Sequence, residues 1–397
     1  MKSNWKEYTV QELINLDMLE EPLDGNHGNI HPKASDYVSE GVPFIMANNL
    51  IGGHVDFDNC AFITEEQAKT LRKGFAKPGD VLLTHKATIG RTAIVSDQYD
   101  TIILTPQVTY YRVKKGIDNR YLKYYFDSNE FQMTLSNWAG SGSTRAYLGI
   151  TAQHKLPIVL PPYDEQVKIA KILRSLDDKI QINNEINKNL QAQAFALYSK
   201  IIIDNADNTW APGVLSDIAD ITMGQSPKGD TYNEDGVGTV FFQGRAEFGF
   251  RFPTRRLCTT DPKRMALAND TLMSVRAPVG DINVAYEDCC IGRGLASIHS
   301  KDNHQSYVLY TMFNLRKQLH IFNGEGTVFG SINKDSLNTM PIIIPPIKVI
   351  DTFEEIVAPM DNIIRNNYEE ICHLTNIRDS LLPRLMSGEI DVSDIDI

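Results

Sequence analysis

The chain has 397 residues, 42% of them apolar and 22% charged, a length that predicts about two to three folded units with real cores. No apolar stretch approaches the roughly 20 residues of a membrane helix. The start, MKSNWKEYTV, lacks the apolar run of a signal peptide. Five cysteines without a CxxC pair read as reduced packing residues, so a cytoplasmic location without a membrane partner is expected. The formal charge of −11 would oppose a nucleic-acid partner if it were evenly spread. It is not: residues 1–163 carry 16 basic and 18 acidic side chains, residues 210–346 carry 13 and 14, and the last 51 residues carry 4 and 11. Near-neutral blocks can still present a basic face.

Residues 1–163 form a first block of short β-type runs (VLLT, TAIV, VTYYRV) punctuated by Gly, Pro and Asn, with a helical stretch at 119–136. A long helix is predicted over 164–199, within a segment reaching 209. Leu173, Leu176, Ile180, Asn183, Leu190, Ala194 and Leu197 fall on one heptad-like seam of it. A second block, 210–346, repeats the first pattern with TLMSV, INVAY and a helical stretch at 304–320. A second long helix follows over 349–387, with Met360, Ile364, Asn367, Ile371, Leu374, Leu381 and Leu385 on its seam, and an acidic tail closes the 347–397 segment. At 1.5 Å per residue each helix would be on the order of 50–55 Å long.

The two halves are copies of one plan. LPIVLPPYDEQ near residue 160 returns 184 positions later as MPIIIPPIKVI, so Pro157, Pro161 and Pro162 match Pro341, Pro345 and Pro346. At the same offset Asp177, Ile180, Asn183, Glu185 and Leu190 fall on Asp361, Ile364, Asn367, Glu369 and Leu374. Upstream, KPGDVLLTHKATIGRTAIV aligns with ANDTLMSVRAPVGDINVAY at offset 190; RYLKYYF echoes SYVLYTMF, and GSTRAYLGIT echoes GTVFGSIN. Duplication of an α+β domain with an attached long helix is the simplest account. Two such helices sharing a pattern are expected to pair as an antiparallel coiled coil, with a pseudo-two-fold axis relating two globular domains.

Catalytic constellations are missing: there is no GxxxxGK[ST], HExxH, GxSxG or CxxC pair. His27 and His31 have metal-pair spacing, but Gly28 and Pro32 make a loop of NHGNIHPK. LPPY at 160–163 has Leu where an amino-methyltransferase motif needs Asn or Asp. Asp177-Asp178-Lys179 imitates a nuclease centre on what reads as a solvated helix face. No catalytic, cofactor or metal residue is therefore assigned. Binding candidates lie in Gly-rich turns. In the first block they are Thr84, His85, Lys86, Arg91, Gln107, Asn48 with Asn49, and Ser141, Ser143, Thr144 and Arg145. In the second they are Gln225, Ser226, Gln243, Arg245, Ser274, Arg276, Arg293 and Thr327. Arg and Lys can donate to guanine or phosphate, the hydroxyls can serve either, and side-chain amides suit adenine. Taken singly, each is more readily a solvated or turn-forming residue; only recurrence at corresponding points of both copies raises the case for binding.

The duplicated plan resembles the specificity subunit of bacterial type I restriction-modification systems across essentially the whole chain. The resemblance rests on LPIVLPPYDEQVKIAKIL and MPIIIPPIKV before the long helices, on KPGDVLLTHKATIGRTAIV with its looser copy, and on DGNHGNIHPKASDYVSEGVPFIMANNL. One departure is IKVIDTF, where the family commonly has an acidic-Gln pair such as Glu165-Gln166. The resemblance implies two target-recognition domains (1–163 and 210–346), each reading half of an asymmetric bipartite duplex DNA target, and helices that set the gap. It implies docking of two modification subunits that carry S-adenosylmethionine, and of restriction/translocase subunits that use ATP and Mg²⁺, with no cofactor in this chain. A protein-only coiled-coil adaptor and a self-sufficient DNA methyltransferase are the alternatives.

Overall fold

A computed structural model describes residues 4–140, 146–206, 209–323 and 330–395. Residues 1–182 with 370–397 make one compact unit, and residues 183–369 make the other. This division lies inside the long helices Tyr163–Tyr198 and Ile347–Met386.

In the first unit a six-stranded sheet contains the hairpin Val81–Lys86 and Thr88–Ile94, with Val108–Tyr111 beside it, and a four-stranded sheet contains Val42–Ile45 paired in parallel with Ile102–Leu104. The VLLT run is apolar over its first three residues, and Val81, Leu82 and Leu83 are fully buried, as a strand covered on both faces requires. The predicted helix at 119–136 is two helices, Asn119–Asp127 and Asn129–Trp138, separated by Ser128, whose hydroxyl caps the second. In the second unit Thr271–Ser274 pairs with Leu295–Ser300, and Thr239–Phe242 pairs in parallel with Cys289–Ile291.

The repeat extends to register. Leu82 faces Tyr110 and Leu272 faces Ser297. Lys6–Thr9 pairs antiparallel with Pro157–Leu160, and Ala211–Val214 pairs in the same way with Pro341–Ile344. Each ribbon hands the chain to a Pro-Pro step and then to a long helix, Tyr163–Tyr198 or Ile347–Met386. Pro ends the strand by removing a ladder donor, and its fixed φ suits the start of a helix.

Within each unit the two helix segments run antiparallel. In the first, Arg378 Nη1 lies 2.9 Å from Asp177 Oδ1 and Lys179 Nζ lies 3.3 Å from Glu370 Oε2. In the second, Asn367 Nδ2 donates to Asn187 Oδ1 at 2.8 Å, and the Tyr198 and Phe353 rings meet edge-on at 5.7 Å. Leu173, Asn183, Ala194, Ile364 and Leu385 are buried, while Leu176, Ile180, Leu190, Leu197, Met360, Asn367, Ile371, Leu374 and Leu381 are half-buried. Asn187, which the seam reading omitted, is as buried as Asn183. The acidic tail packs on the first unit: Val392 is fully buried in its core and Lys168 Nζ donates to Ser393 O at 2.6 Å.

Glu165 and Gln166 are occupied inside the first unit. Glu165 accepts from Trp5 Nε1 at 3.2 Å, while Gln166 accepts from the Asp118 N–H and donates to Pro161 O. Asp118 caps the helix Asn119–Asp127 through the Arg120 and Tyr121 N–H groups. In the second unit Glu354 of the long helix does that task from outside, accepting from the Ser306 and Tyr307 N–H groups at 3.0 Å each. Glu354 thus stands in for Asp118, and the Ser300 hydroxyl accepts from the His304 N–H at 2.9 Å as Gln166 accepts from that of Asp118, so the second helix can begin IKVIDTF without the Gln.

Asp177 corrects the reading of a solvated face. Its side chain is 13% exposed, accepts from Tyr124 Oη at 2.7 Å, and lies 3.6 Å from Lys123 Nζ as well as beside Arg378. Its copy Asp361 accepts from Tyr310 Oη at 3.0 Å and pairs with Arg251 Nη1 at 3.2 Å. Burial pushes the Asp177 carboxyl pKa up, but Lys123, Arg378 and Tyr124 overcome that and hold it below its ordinary value. Burial prevails at Asp361, where the pKa is raised despite Arg251. The two copies should therefore respond oppositely to acid. The Asp177 contribution is present above the ordinary aspartate pKa of 3.8 and is lost as pH falls through the lower folded value. The Asp361 contribution is greatest below 3.8 and is lost as pH rises through the raised folded value. Hydrogen exchange of each unit's core against pH, with Asp177→Asn and Asp361→Asn for comparison, checks this; slopes of one sign at both positions would contradict it.

Candidate nucleic-acid interface

The first candidate loop is the tip of the hairpin Val81–Lys86 and Thr88–Ile94. Ala87 turns it with φ of 64°, and Gly90 takes φ of 87° where a Cβ would come within 2.1 Å of Gln132 Oε1. Thr84 Oγ1 accepts from the Arg91 N–H at 2.9 Å, bracing the tip. His85 is fully buried, with Nδ1 2.9 Å from Leu148 O and Nε2 without a hydrogen-bond partner among the described residues. Burial lowers its pKa and so favours the neutral ring. The Leu148 N–H donates to His85 O and the Ala87 N–H to Ala146 O, so residues 146–148 run beside the tip. Lys86 is exposed there, with Nζ 5.9 Å from the ring centre of Tyr147, itself 49% exposed.

The same construction recurs in the second unit. Ser274 stands 190 positions after Thr84, and its Oγ accepts from the Asp281 N–H at 2.9 Å and donates to Pro278 O at 2.7 Å. The Ala277 N–H donates to Gly330 O and the Ile332 N–H to Val275 O, so residues 330–332 flank this loop as 146–148 flank the other. Lys86 bridges to Tyr147 and Arg276 bridges to Ser331. Lys86 and Arg276 are thus exposed cations at one equivalent point.

Arg276 opens on a cleft of about 270 Å³ lined by Ser226, Gln243, Arg245, Ser274 and Arg293 with Gly244, Ala277 and Gly294. Gln225, Ser226, Gln243 and Arg293 also line a neighbouring cleft of about 580 Å³. Donors from four separated stretches of sequence therefore converge on one surface.

The sequence matches the type I restriction modification DNA specificity domain twice, over residues 2–192 and 207–372. The chain belongs to the type I restriction-modification specificity subunits. It is 27% identical over 373 residues to a putative type I restriction enzyme MjaX specificity subunit from Methanocaldococcus jannaschii, covering 89% of this chain and 88% of that protein. It is 20% identical over 482 residues to the type I restriction enzyme HindI specificity subunit of Haemophilus influenzae, covering 98% and 100%. Its fold is similar to a type I restriction-modification S subunit from M. genitalium, with 16% identity, TM-score 0.59, and 97% and 98% coverage.

In this specificity subunit the singled-out residues divide by position. Asn48, Lys86, Arg91, Gln225, Gln243, Arg245, Arg276 and Arg293 are exposed, and Gln107 and Ser226 are half-buried. Thr84, His85 and Ser274 are buried; they shape the loops instead of presenting donors to solvent. Asn49 is buried too, accepting from the Met46 N–H and donating to Asn59 O. Ser141, Ser143, Thr144, Arg145 and Thr327 lie outside the described residues. Tyr147 was not singled out from the sequence, although its place two residues beyond the GSTR run carried the signal. Arg91 has Asp281 as its counterpart at offset 190. Asp281 binds Arg245 and also Arg316 at 3.1 Å, so the two faces differ in charge as well as in sequence.

Proposed function

We propose that this specificity subunit reads a bipartite, asymmetric duplex DNA target, residues 1–163 taking one half and residues 210–346 the other. The observation that carries the proposal is the recurrence of an exposed cation, Lys86 and Arg276, on the same braced loop of both copies. Two helices of 36 and 40 residues, acting as an antiparallel coiled coil, would set the gap between half-sites. Half-sites read from one side of B-DNA are centred roughly 34–36 Å apart, a span within a helix on the order of 50 Å. The helices would also dock two modification subunits, and restriction/translocase subunits would complete the assembly. In this reading the chain performs no chemistry. S-adenosylmethionine belongs to the modification subunits, and ATP and Mg²⁺ to the restriction subunits.

Mapping methylated adenines across the source genome tests the reading, with one split, non-palindromic motif as the expected result. The purified chain incubated alone with DNA and methyl donor should transfer no methyl groups; transfer would identify a self-sufficient methyltransferase. Lys86→Ala and Arg145→Ala should each weaken binding of the assembled complex roughly five- to hundredfold, the range for one lost base contact. Unchanged affinity for both, measured by titration at fixed salt, would remove these loops from the interface.

A further inference from the structure

The cleft of the second unit holds three arginines in two different electrostatic states. Arg245 is bound by Asp281, whose second oxygen takes Arg316 at 3.1 Å. Its guanidinium is therefore spoken for before any ligand arrives. Arg276 and Arg293 are exposed, and among the described residues no carboxylate lies within ion-pair distance of either. The Arg293 backbone N–H donates to Ser226 Oγ at 3.2 Å, tying the root of that side chain to the rim. Gly292 and Gly294 press against Gln243, where an added Cβ would come within 2.9 Å and 2.7 Å of its backbone, so the rim is closely packed.

Among the described residues the cleft lining contains no carboxylate: its polar side chains are Ser226, Gln243, Arg245, Ser274, Arg276 and Arg293. Such a surface is rich in donors and poor in acceptors, and its complement is an edge presenting adjacent acceptors. In the major groove that edge is guanine, with N7 and O6 side by side; adenine and cytosine each present an amino donor there. The planar fork of arginine matches the guanine pair with two parallel bonds, which a lysine cannot do. We propose that the half-site read by residues 210–346 contains guanine, contacted by Arg276 and Arg293, with Arg245 acting as a positioning residue fixed by Asp281. This rests on the DNA-reading function proposed above.

The test is methylation sequencing of a randomised plasmid library by the complete complex carrying wild-type chain, Arg276→Ala, Arg293→Ala or Arg276→Lys. The wild-type motif should hold at least one guanine in one half-site. Each alanine variant should relax a guanine position there, lowering discrimination roughly five- to hundredfold, while the other half-site stays intact. Arg276→Lys should restore part of the rate but not the two-bond discrimination. Slower methylation with an unchanged motif would make these arginines phosphate contacts and overturn the assignment, as would a half-site pair lacking guanine. If the wild-type complex yields no split motif at all, the underlying reading fails instead, and the two failures are distinguishable in one data set.

Discussion

Replacing Asp361 by alanine should destabilise the unit formed by residues 183–369 by about 1–3 kcal/mol, the usual cost of leaving buried donors without their acceptor, since burial already offsets the attraction between the Asp361 and Arg251 charges. Arg251 is only 4% exposed and its Nη1 sits 3.2 Å from Asp361 Oδ1. Its other polar and ring contacts among the described residues are the Tyr310 hydroxyl at 3.1 Å and the faces of the Tyr310 and Phe313 rings, and its Nε has no hydrogen-bond partner among them. Without Asp361 the guanidinium is a buried charge held by one neutral oxygen. The double variant Asp361→Leu with Arg251→Met should recover most of the loss, since apolar residues of similar volume can replace a buried pair without penalty. The equivalent Asp177→Ala should cost the other unit less: Lys123 keeps Asp127 at 2.9 Å, Arg378 keeps Asp379 at 2.8 Å, and Arg378 is 30% exposed. Hydrogen exchange of the core strands separates the units, which a single melting curve would not. A loss below about 1 kcal/mol for Asp361→Ala would mean that the pair is solvated.

These buried carboxylates also mark where sequence reasoning stops. The repeat, the α+β blocks and the long helices were legible because their signals are local: Pro-Pro steps, heptad spacing and glycine-free stretches each act within a few residues. The helix limits differ from the expected ones by two residues or fewer at each end. The fate of Asp177 was not legible, because Tyr124 and Arg378 reach it from 53 and 201 positions away. Spacing alone assigns an aspartate between apolar residues to solvent, and only a partner from another segment reverses that. The same holds at the candidate interface. Thr84 and Ser274 look like ligand donors in a Gly-rich turn, yet each hydroxyl is taken by a backbone N–H seven residues on. Arg245 looks like Arg276 and Arg293 until Asp281 folds against it from 36 positions away. What the sequence could mark was the loops; which of their side chains remain available depends on contacts made only in the folded chain.

Exchanging residues 210–346 for the corresponding block of another specificity subunit should replace one half of the methylated motif and leave the other half and the gap unchanged. The ends of the block meet in the ribbon that pairs Ala211 with Ile344 and Val214 with Pro341, so a foreign block can be closed at the same two points. The graft must keep the groups that seat the long helix: Ser306 and Tyr307 N–H on Glu354, and Tyr310 on Asp361. It must also keep Arg251 on Asp361, Thr311 on Tyr198, and Tyr286 with Asn269 on Glu369 and Arg365; with these in place the helix segments stay seated, and only the cleft and its loops are new. Specific sites are typically bound 10³–10⁷ times more tightly than non-specific DNA. The original target should therefore fall by roughly three orders of magnitude or more in methylation rate, while a hybrid target appears. Adding one matched turn to each long helix, with both native blocks retained, should have the complementary effect: the same two half-sites at a wider gap. A swap that altered the gap, or a helix extension that altered the bases read, would show that gap and base choice are set by one shared surface instead of by separate parts of the chain.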